Sequence, residues 1–327
     1  MLVLGLQGSP RLKGNTNDLL SLFLRESEKQ GAETLMIQVS RKNILPCREI
    51  LVCEKKGFCP IDDDMKTEIY PLLRKADVVI AASPIFFYGV TAQFKALIDR
   101  SQTLWARKYR LKLKDPKWQT RKGFLLSVGA TRGKNLFEGA KLSVSYFFDA
   151  IDARFEGSLT YRKIEAAGSL KEHPTVREDV RKAAAELLDP LLKRKKIPFF
   201  CRNNAALSQM AAAFTQYHAG STIEAAGAGF EPADRTDPAM VAVMGERGID
   251  MAFRKPQSFE QAHLSGRPDV AVALGPTGSF PESLESKRIQ WDLPDPGGKS
   301  IEFMRKVRDI IENHVMELIR TESESGI

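Results

Sequence analysis

Five short apolar runs recur in the first half of the chain: MLVLGLQ, ETLMIQV, ADVVIAAS, KGFLLSVG and FEGSLTY. Between them, apolar positions fall at helical spacing over roughly Asn15 to Lys29, Met65 to Lys75, Thr91 to Thr103 and Lys134 to Asp152. Runs that stay apolar without alternating belong to strands buried on both faces, so the pattern predicts a parallel sheet with helices on either side. A helix over about Pro174 to Lys193 closes this unit, and the KRKK run beginning at Lys193 reads as an exposed junction. The alternation then restarts with KIPFFC, a helix from about Ala206, STIEAAG, a helix from about Asp237, DVAVALG and a long helix from about Ser300 to Arg320. The fold class expected is therefore α/β: two doubly wound parallel-sheet domains, residues 1–194 and 195–327. The closing TESESGI reads as a frayed end.

Composition supports this organisation, since 327 residues at 43% hydrophobic suffice for two cores of ordinary size. No window approaches the roughly 20 apolar residues of a membrane span, and the chain opens directly in a strand, so a soluble, cytoplasmic protein is expected. The formal charge of +8 is uneven, with 15 basic and 18 acidic residues from Lys195 onward and 34 and 23 before it. Much of the excess lies in RKYRLKLKDPKWQTRK, Arg107 to Lys122, either a solvated face or a platform for a phosphorylated cofactor such as NADPH. Without aromatic interleaving or zinc spacing it is not a nucleic-acid surface. His173, His218, His263 and His314 show no ligand spacing and read as ordinary histidines. Four cysteines, three clustered at Cys47, Cys53 and Cys59 and one at Cys201, form no disulfide framework.

Three segments carry candidate chemistry. After the first strand, GSPRLKGNT (Gly8 to Thr16) combines backbone-permissive glycines with hydroxyl and amide donors at a helix start, where phosphate belongs. After the third, SPIFFYGVTAQFKALIDR (Ser83 to Arg100) places Phe86, Phe87 and Tyr88 side by side, more aromatic surface than one short loop can turn into one core. It stands where a parallel sheet opens its ligand crevice, so a flat aromatic ligand is expected. The third segment, FFCRNNAALSQMAAAF (Phe199 to Phe214), has a cysteine at a strand end followed by a loop and a helix N-terminus. That geometry stabilises a thiolate and a bound oxyanion.

Together the first two loops resemble those of the flavodoxin-like NAD(P)H-dependent FMN reductases, including the iron-sulfur flavoproteins, over most of the first domain. The resemblance implies FMN, with Ser9, Arg11, Asn15 and Thr16 on its phosphate and Pro84, Ile85, Phe86, Phe87, Tyr88 and Gly89 along its ring. Gly129 and Ala130 of SVGATRG would stand on the ring's other side. Flavin chemistry asks the protein for orientation and access, so no acid or base is assigned. In the iron-sulfur members four cysteines occupy the segment PCREILVCEKKGFCPIDDDM. Here Cys47, Cys53 and Cys59 match three of those positions and Ile50 stands at the other, so an intact cluster is not expected and buried or reactive thiols are the alternative.

The rest of the chain resembles the low-molecular-weight tyrosine phosphatases and, more closely, the arsenate reductases built on that fold. It does so through SQMAAAF, GAGFEPADRTDPAMVAVMGERGID and WDLPDPGGKSIEFMRKVRDII. The resemblance places Cys201 at the nucleophile, Asn204 and Ser208 at supporting loop positions and Asp295 at the general acid. Leu207 replaces the arginine that clamps the oxyanion, a loss typically worth about 3 kcal/mol or more. Relay cysteines expected at Ala206 and within LGPTGSFP, Leu274 to Pro281, are absent. The activity expected is that of an FMN-dependent NAD(P)H oxidoreductase passing electrons to a quinone, free flavin or metal ion. The alternative is a flavin-based redox-sensing or electron-transfer module whose second domain binds an anion or partner; an arsenate reductase or phosphatase stands third. A homo-oligomer, with no nucleic acid or membrane partner, is what the resemblance implies.

Overall fold

The computed structural model describes residues 1–262, 266–275 and 285–324. It divides into two units, one formed by Leu2–Lys112 and Thr120–Pro190, the other by Met1, Leu113–Gln119 and Leu191–Ile327.

The first unit holds a five-stranded sheet of β1 (Leu2–Gln7), β2 (Glu33–Gln38), β3 (Val78–Pro84), β4 (Lys122–Gly129) and β5 (Arg154–Arg162). The spatial order is β2-β1-β3-β4-β5 and every pairing is parallel, the flavodoxin-like doubly wound order. β1 and β4 are buried along their whole length, which is why their sequences run apolar without alternating. Around the sheet lie α1 (Asn15–Lys29), the short α2 (Val52–Lys56), α3 (Tyr70–Lys75), α4 (Ala92–Arg100), α5 (Gln102–Tyr109), α6 (Glu138–Ala150) and α7 (Val176–Leu192). The single helix expected over Thr91 to Thr103 is two helices meeting at Ser101. The second continues to Tyr109 and takes up the start of the basic run.

The second unit has a four-stranded parallel sheet, order β7-β6-β8-β9, of β6 (Lys195–Cys201), β7 (Ile223–Gly229), β8 (Val270–Leu274) and β9 (Lys287–Trp291). Its helices are α8 (Leu207–Ala219), α9 (Pro238–Glu246), capped by the Asp237 carboxylate, and α10 (Ile301–Glu324). β9 was not among the expected strands. As an edge strand with mostly exposed side chains it carries no apolar run for periodicity to detect. Residues 113–119 belong to this unit through a pair of backbone hydrogen bonds, Lys114 N–H to the Gly248 carbonyl (2.8 Å) and Asp250 N–H to the Lys114 carbonyl (2.8 Å). The Lys114 ammonium also lies 4.0 Å from the Trp118 ring centroid. The basic run is therefore not one continuous face. The core is alanine- and methionine-rich, with Met210, Ala213, Phe214, Met240, Met244, Met304 and Ile311 fully buried.

Candidate functional site

At the carboxyl edge of the first sheet the ends of β1, β3 and β4 converge. The Gly8 N–H donates to the Ala82 carbonyl at 2.7 Å, and the buried Thr91 hydroxyl donates to the Gly8 carbonyl at 2.6 Å. Across the next pair, Ile85 N–H donates to the Val128 carbonyl (3.0 Å) and the Ser127 hydroxyl to the Ser83 carbonyl (2.7 Å). Gly8 is required by this closeness, because a Cβ there would stand 2.9 Å from Cβ of Phe94 and 3.1 Å from the Ala82 carbonyl oxygen. Three loops thus form one rim.

The first loop ends at α1, whose cap residue Gly14 offers no side chain to the orphan amides of the first turn. Those N–H groups and the positive end of the helix dipole are an anion-receiving surface. Ser9 is buried, its hydroxyl accepting the Arg11 N–H at 3.1 Å, while Arg11 is exposed beside it. Thr16 is buried in the first turn. Asn15 differs from its expected role: its side-chain amide donates to the Ala166 carbonyl (2.8 Å) and accepts from Gly168 N–H (3.0 Å). It thus holds the 166–170 turn. Gln7, which sequence reasoning passed over, is fully buried at the base of the rim. Its Nε2 donates to the Arg11 carbonyl (3.2 Å), and its Oε1 has no hydrogen-bond partner among the described residues.

The aromatic loop is a two-residue turn. Phe86 and Gly89 exchange both backbone hydrogen bonds, at 3.0 and 2.9 Å, and Phe87 (φ 47°) and Tyr88 (φ 64°) between them are both left-handed. Such turns normally select Asn-Gly, because left-handed backbone costs roughly 1–2 kcal/mol for an ordinary residue. Here two aromatics take it, and the Phe87 ring is left wholly exposed, at 104% of its reference area. Phe86 and Tyr88 are about half exposed, while Pro84, Ile85 and Gly89 sit partly buried beneath them. The Tyr88 hydroxyl packs against Gly133 of the β4–α6 loop, where any Cβ would collide with it. In that loop Gly129 is buried, its carbonyl accepting Ile164 N–H (3.1 Å), and Ala130 is exposed.

Beside α5 a cavity of about 370 Å³ is lined by Cys47, Cys53 and Cys59 together with Ile50 and Arg100. Cys47 is exposed, and the other two are half-buried. Burial first, then the neighbouring Cys59, push the Cys53 thiol up. Arg100 is buried at 1% exposure and forks onto Asp63, with contacts of 2.5 and 3.1 Å. Burial works against its charge, but the hydrogen bonds to Asp63 outweigh it and hold the guanidinium above its ordinary range.

In the second unit Cys201 ends β6 at 3% exposure. The Asn204 N–H donates to its sulfur at 3.2 Å, and the Ser208 hydroxyl lies 3.0 Å away. That hydroxyl also accepts from Asn204 Nδ2 (2.7 Å), so Cys201, Asn204 and Ser208 form one hydrogen-bonded cluster. Asn204 is fixed in turn through Oδ1 by Gln209 Nε2 (3.0 Å) and Gln257 N–H (2.9 Å). Gly227 makes room for this loop, since a Cβ there would meet the Ser208 carbonyl at 2.6 Å. Leu207 joins the hydrophobic core with Trp291 and Leu293 instead of facing the loop's mouth. Arg202 turns outward to an exposed pair with Glu231 (2.9 Å). Asp295 is exposed and its carboxylate accepts Gly297 N–H (2.9 Å); among the described residues no hydrogen bond joins it to the cysteine loop. Residues 276–281 of the relay segment and His263 lie outside the described residues. The other three histidines stand apart, His173 against Tyr161, His218 near Glu312 and His314 on Trp291.

Comparison with known proteins matches this division. Residues 1–151 fit the NADPH-dependent FMN reductase family and residues 196–325 the low molecular weight phosphotyrosine protein phosphatase family. An iron-sulfur flavoprotein of Methanosarcina thermophila is 37% identical over 40% of this chain and 65% of its own length. A putative arsenate reductase of Halobacterium salinarum is 32% identical over 38% of this chain and 89% of its own. A glutaredoxin arsenate reductase of Synechocystis sp. is 32% identical over 38% and 96%. Through its second unit the chain belongs with the arsenate reductases of the low-molecular-weight phosphatase fold, and its first unit is similar to the FMN reductases and iron-sulfur flavoproteins. It spans between 45% and 65% of the length of the first iron-sulfur flavoproteins it matches. Among the described residues no helix is long and apolar enough to cross a membrane.

Proposed function

We propose that the protein is an FMN-dependent oxidoreductase that draws electrons from NAD(P)H and delivers them to a small acceptor such as a quinone, a free flavin or a metal ion. The observation that carries this reading is the strained Phe87-Tyr88 turn, which holds aromatic rings in solvent on the same rim as the uncapped start of α1. Strain of this kind is held by the surrounding structure and clusters at active sites and ligand clamps. The residues fit FMN. Backbone amides at the start of α1, with Ser9, Arg11 and Thr16, would hold its phosphate. Phe86, Phe87 and Tyr88 would cover its ring, and the buried, unpartnered Gln7 Oε1 offers an acceptor at the floor. Bound there, FMN supplies two-electron chemistry between a nicotinamide and a one- or two-electron acceptor. The chain's own part is to bind it, orient it and leave one face open. The test is to titrate the purified protein with FMN and follow NADPH oxidation with quinone, flavin and ferric acceptors. A protein that binds no FMN refutes the reading.

A second reading is favoured by the Cys201 loop: a redox-sensing or electron-transfer module in which flavin state governs what the second unit binds. Its hydrogen-bond frame around the sulfur is complete while Leu207 fills the position of a clamp. Two relatives of this unit bear the name arsenate reductase, so arsenate and aryl phosphate are the substrates with which to assay it. Rapid Cys201-dependent turnover of either would make the second unit an enzyme. A homo-oligomer is part of the proposal, supported by Leu142 (61% exposed) and Tyr146 (70%), one turn apart on α6, and tested by light scattering.

The names of the flavoprotein relatives raise an iron–sulfur cluster, which requires four ligands. The cavity beside α5 offers three thiols, with the exposed Ile50 among them, and does not fit a four-thiolate cubane.

A further inference from the structure

The mismatch between three thiols and a four-ligand cluster points elsewhere. Cys47, Cys53 and Cys59 line one cavity of about 370 Å³. The same cavity is lined by Arg100, which is 1% exposed and whose Nε has no hydrogen-bond partner among the described residues, although its other nitrogens are bound to Asp63 and the Leu45 carbonyl. A buried donor without an acceptor is costly, and a sulfur that carries electron density is an acceptor it can use. We propose that this cavity is a binding site for a thiophilic trivalent ion of three-coordinate habit, namely trivalent arsenic, held by the sulfurs of Cys47, Cys53 and Cys59.

The chemistry closes without an oxidant or reductant. Arsenous acid exchanges its three As–O bonds for three As–S bonds, and the three thiol protons leave with the three hydroxides as water. Three thiolates neutralise the ion completely, so the product adds no charge to a half-buried site. A fourth donor is not needed, because the lone pair of trivalent arsenic occupies the remaining direction. Among the described residues no three such side chains already stand as a metal site, so the ion must draw the thiols together. Cys47 is the least enclosed of the three. It is exposed, in a stretch without regular structure from Ile44 to Leu51 in which Glu49 (φ 49°) and Leu51 (φ 62°) are left-handed.

The test is intact-mass spectrometry of the full, reduced chain with sodium arsenite under anaerobic conditions, alongside alkylation mapping of the same samples. The expected adduct is one arsenic gained for three hydrogens lost, with Cys47, Cys53 and Cys59 protected from iodoacetamide together. Replacing any one of them with serine abolishes the three-hydrogen adduct. The wild-type protection map answers the question even where a variant misfolds. An adduct that loses fewer than three hydrogens overturns the proposal. So does protection that omits any of the three, or iron and acid-labile sulfide found on these cysteines in the purified protein.

Discussion

Phe87→Asn separates the strain of the aromatic turn from its use. The Phe87 ring is wholly exposed, so replacing it removes no burial, while its left-handed backbone carries a penalty of roughly 1–2 kcal/mol that asparagine largely avoids. The apoprotein should gain about 1 kcal/mol, raising its melting temperature by roughly 2–4 °C for a body of this size. FMN binding should move the other way. An aromatic contact contributes about 0.5–1.5 kcal/mol beyond the area it covers, so the dissociation constant should rise by roughly 2- to 12-fold or more. Differential scanning fluorimetry of the flavin-free protein and fluorescence titration with FMN read the two effects separately. A lower melting temperature would show that the turn is not strained, and an unchanged FMN affinity would show that the ring serves something else.

Gly8→Ala should push Phe94 and the Ala82 carbonyl apart, costing about 1–3 kcal/mol in urea denaturation and loosening FMN binding, because both loops meet at that atom. Asp63→Ala strands the Arg100 charge in the interior and should cost about 3–5 kcal/mol, also by urea denaturation. Tyr70 and Tyr161 have phenol pKa values raised by burial. Their contribution is fully present below the ordinary tyrosine value and is lost as pH rises from about 10 toward the folded-state values. Melting temperature should therefore fall above that pH, and less steeply in Tyr70→Phe. Leu207→Arg restores the clamp and should raise Cys201-dependent aryl phosphate hydrolysis by about 10²-fold; no increase would mean that more than the clamp is missing from this loop.

Much of the fold was legible because buried parallel strands write themselves as unbroken apolar runs, as β1, β4 and β8 do. β9 was not, since an edge strand with charged side chains resembles a loop. The break between α4 and α5 was hidden because Ser101 continues the helical spacing while its backbone closes one helix and opens the next. At the candidate flavin rim, residue types marked the loops but not the direction in which each side chain turns. Asn15 looks like a phosphate ligand and holds a distant turn, whereas Gln7 and Thr91 carry no sequence signal and tie the rim together. Around Cys201 the sulfur's neighbours followed from spacing, but the support that Gln257 gives Asn204 comes from 53 positions along the chain and no local pattern announces it.

The seven residues Leu113–Gln119 have a consequence for how the chain is made. They belong to the second unit yet are synthesised within the first, long before the Gly248 and Asp250 backbone that receives them. On a ribosome that releases domains in order, this segment has to wait as an unpaired loop until the last third of the protein emerges. A gene shuffled as two independent cassettes would leave it behind.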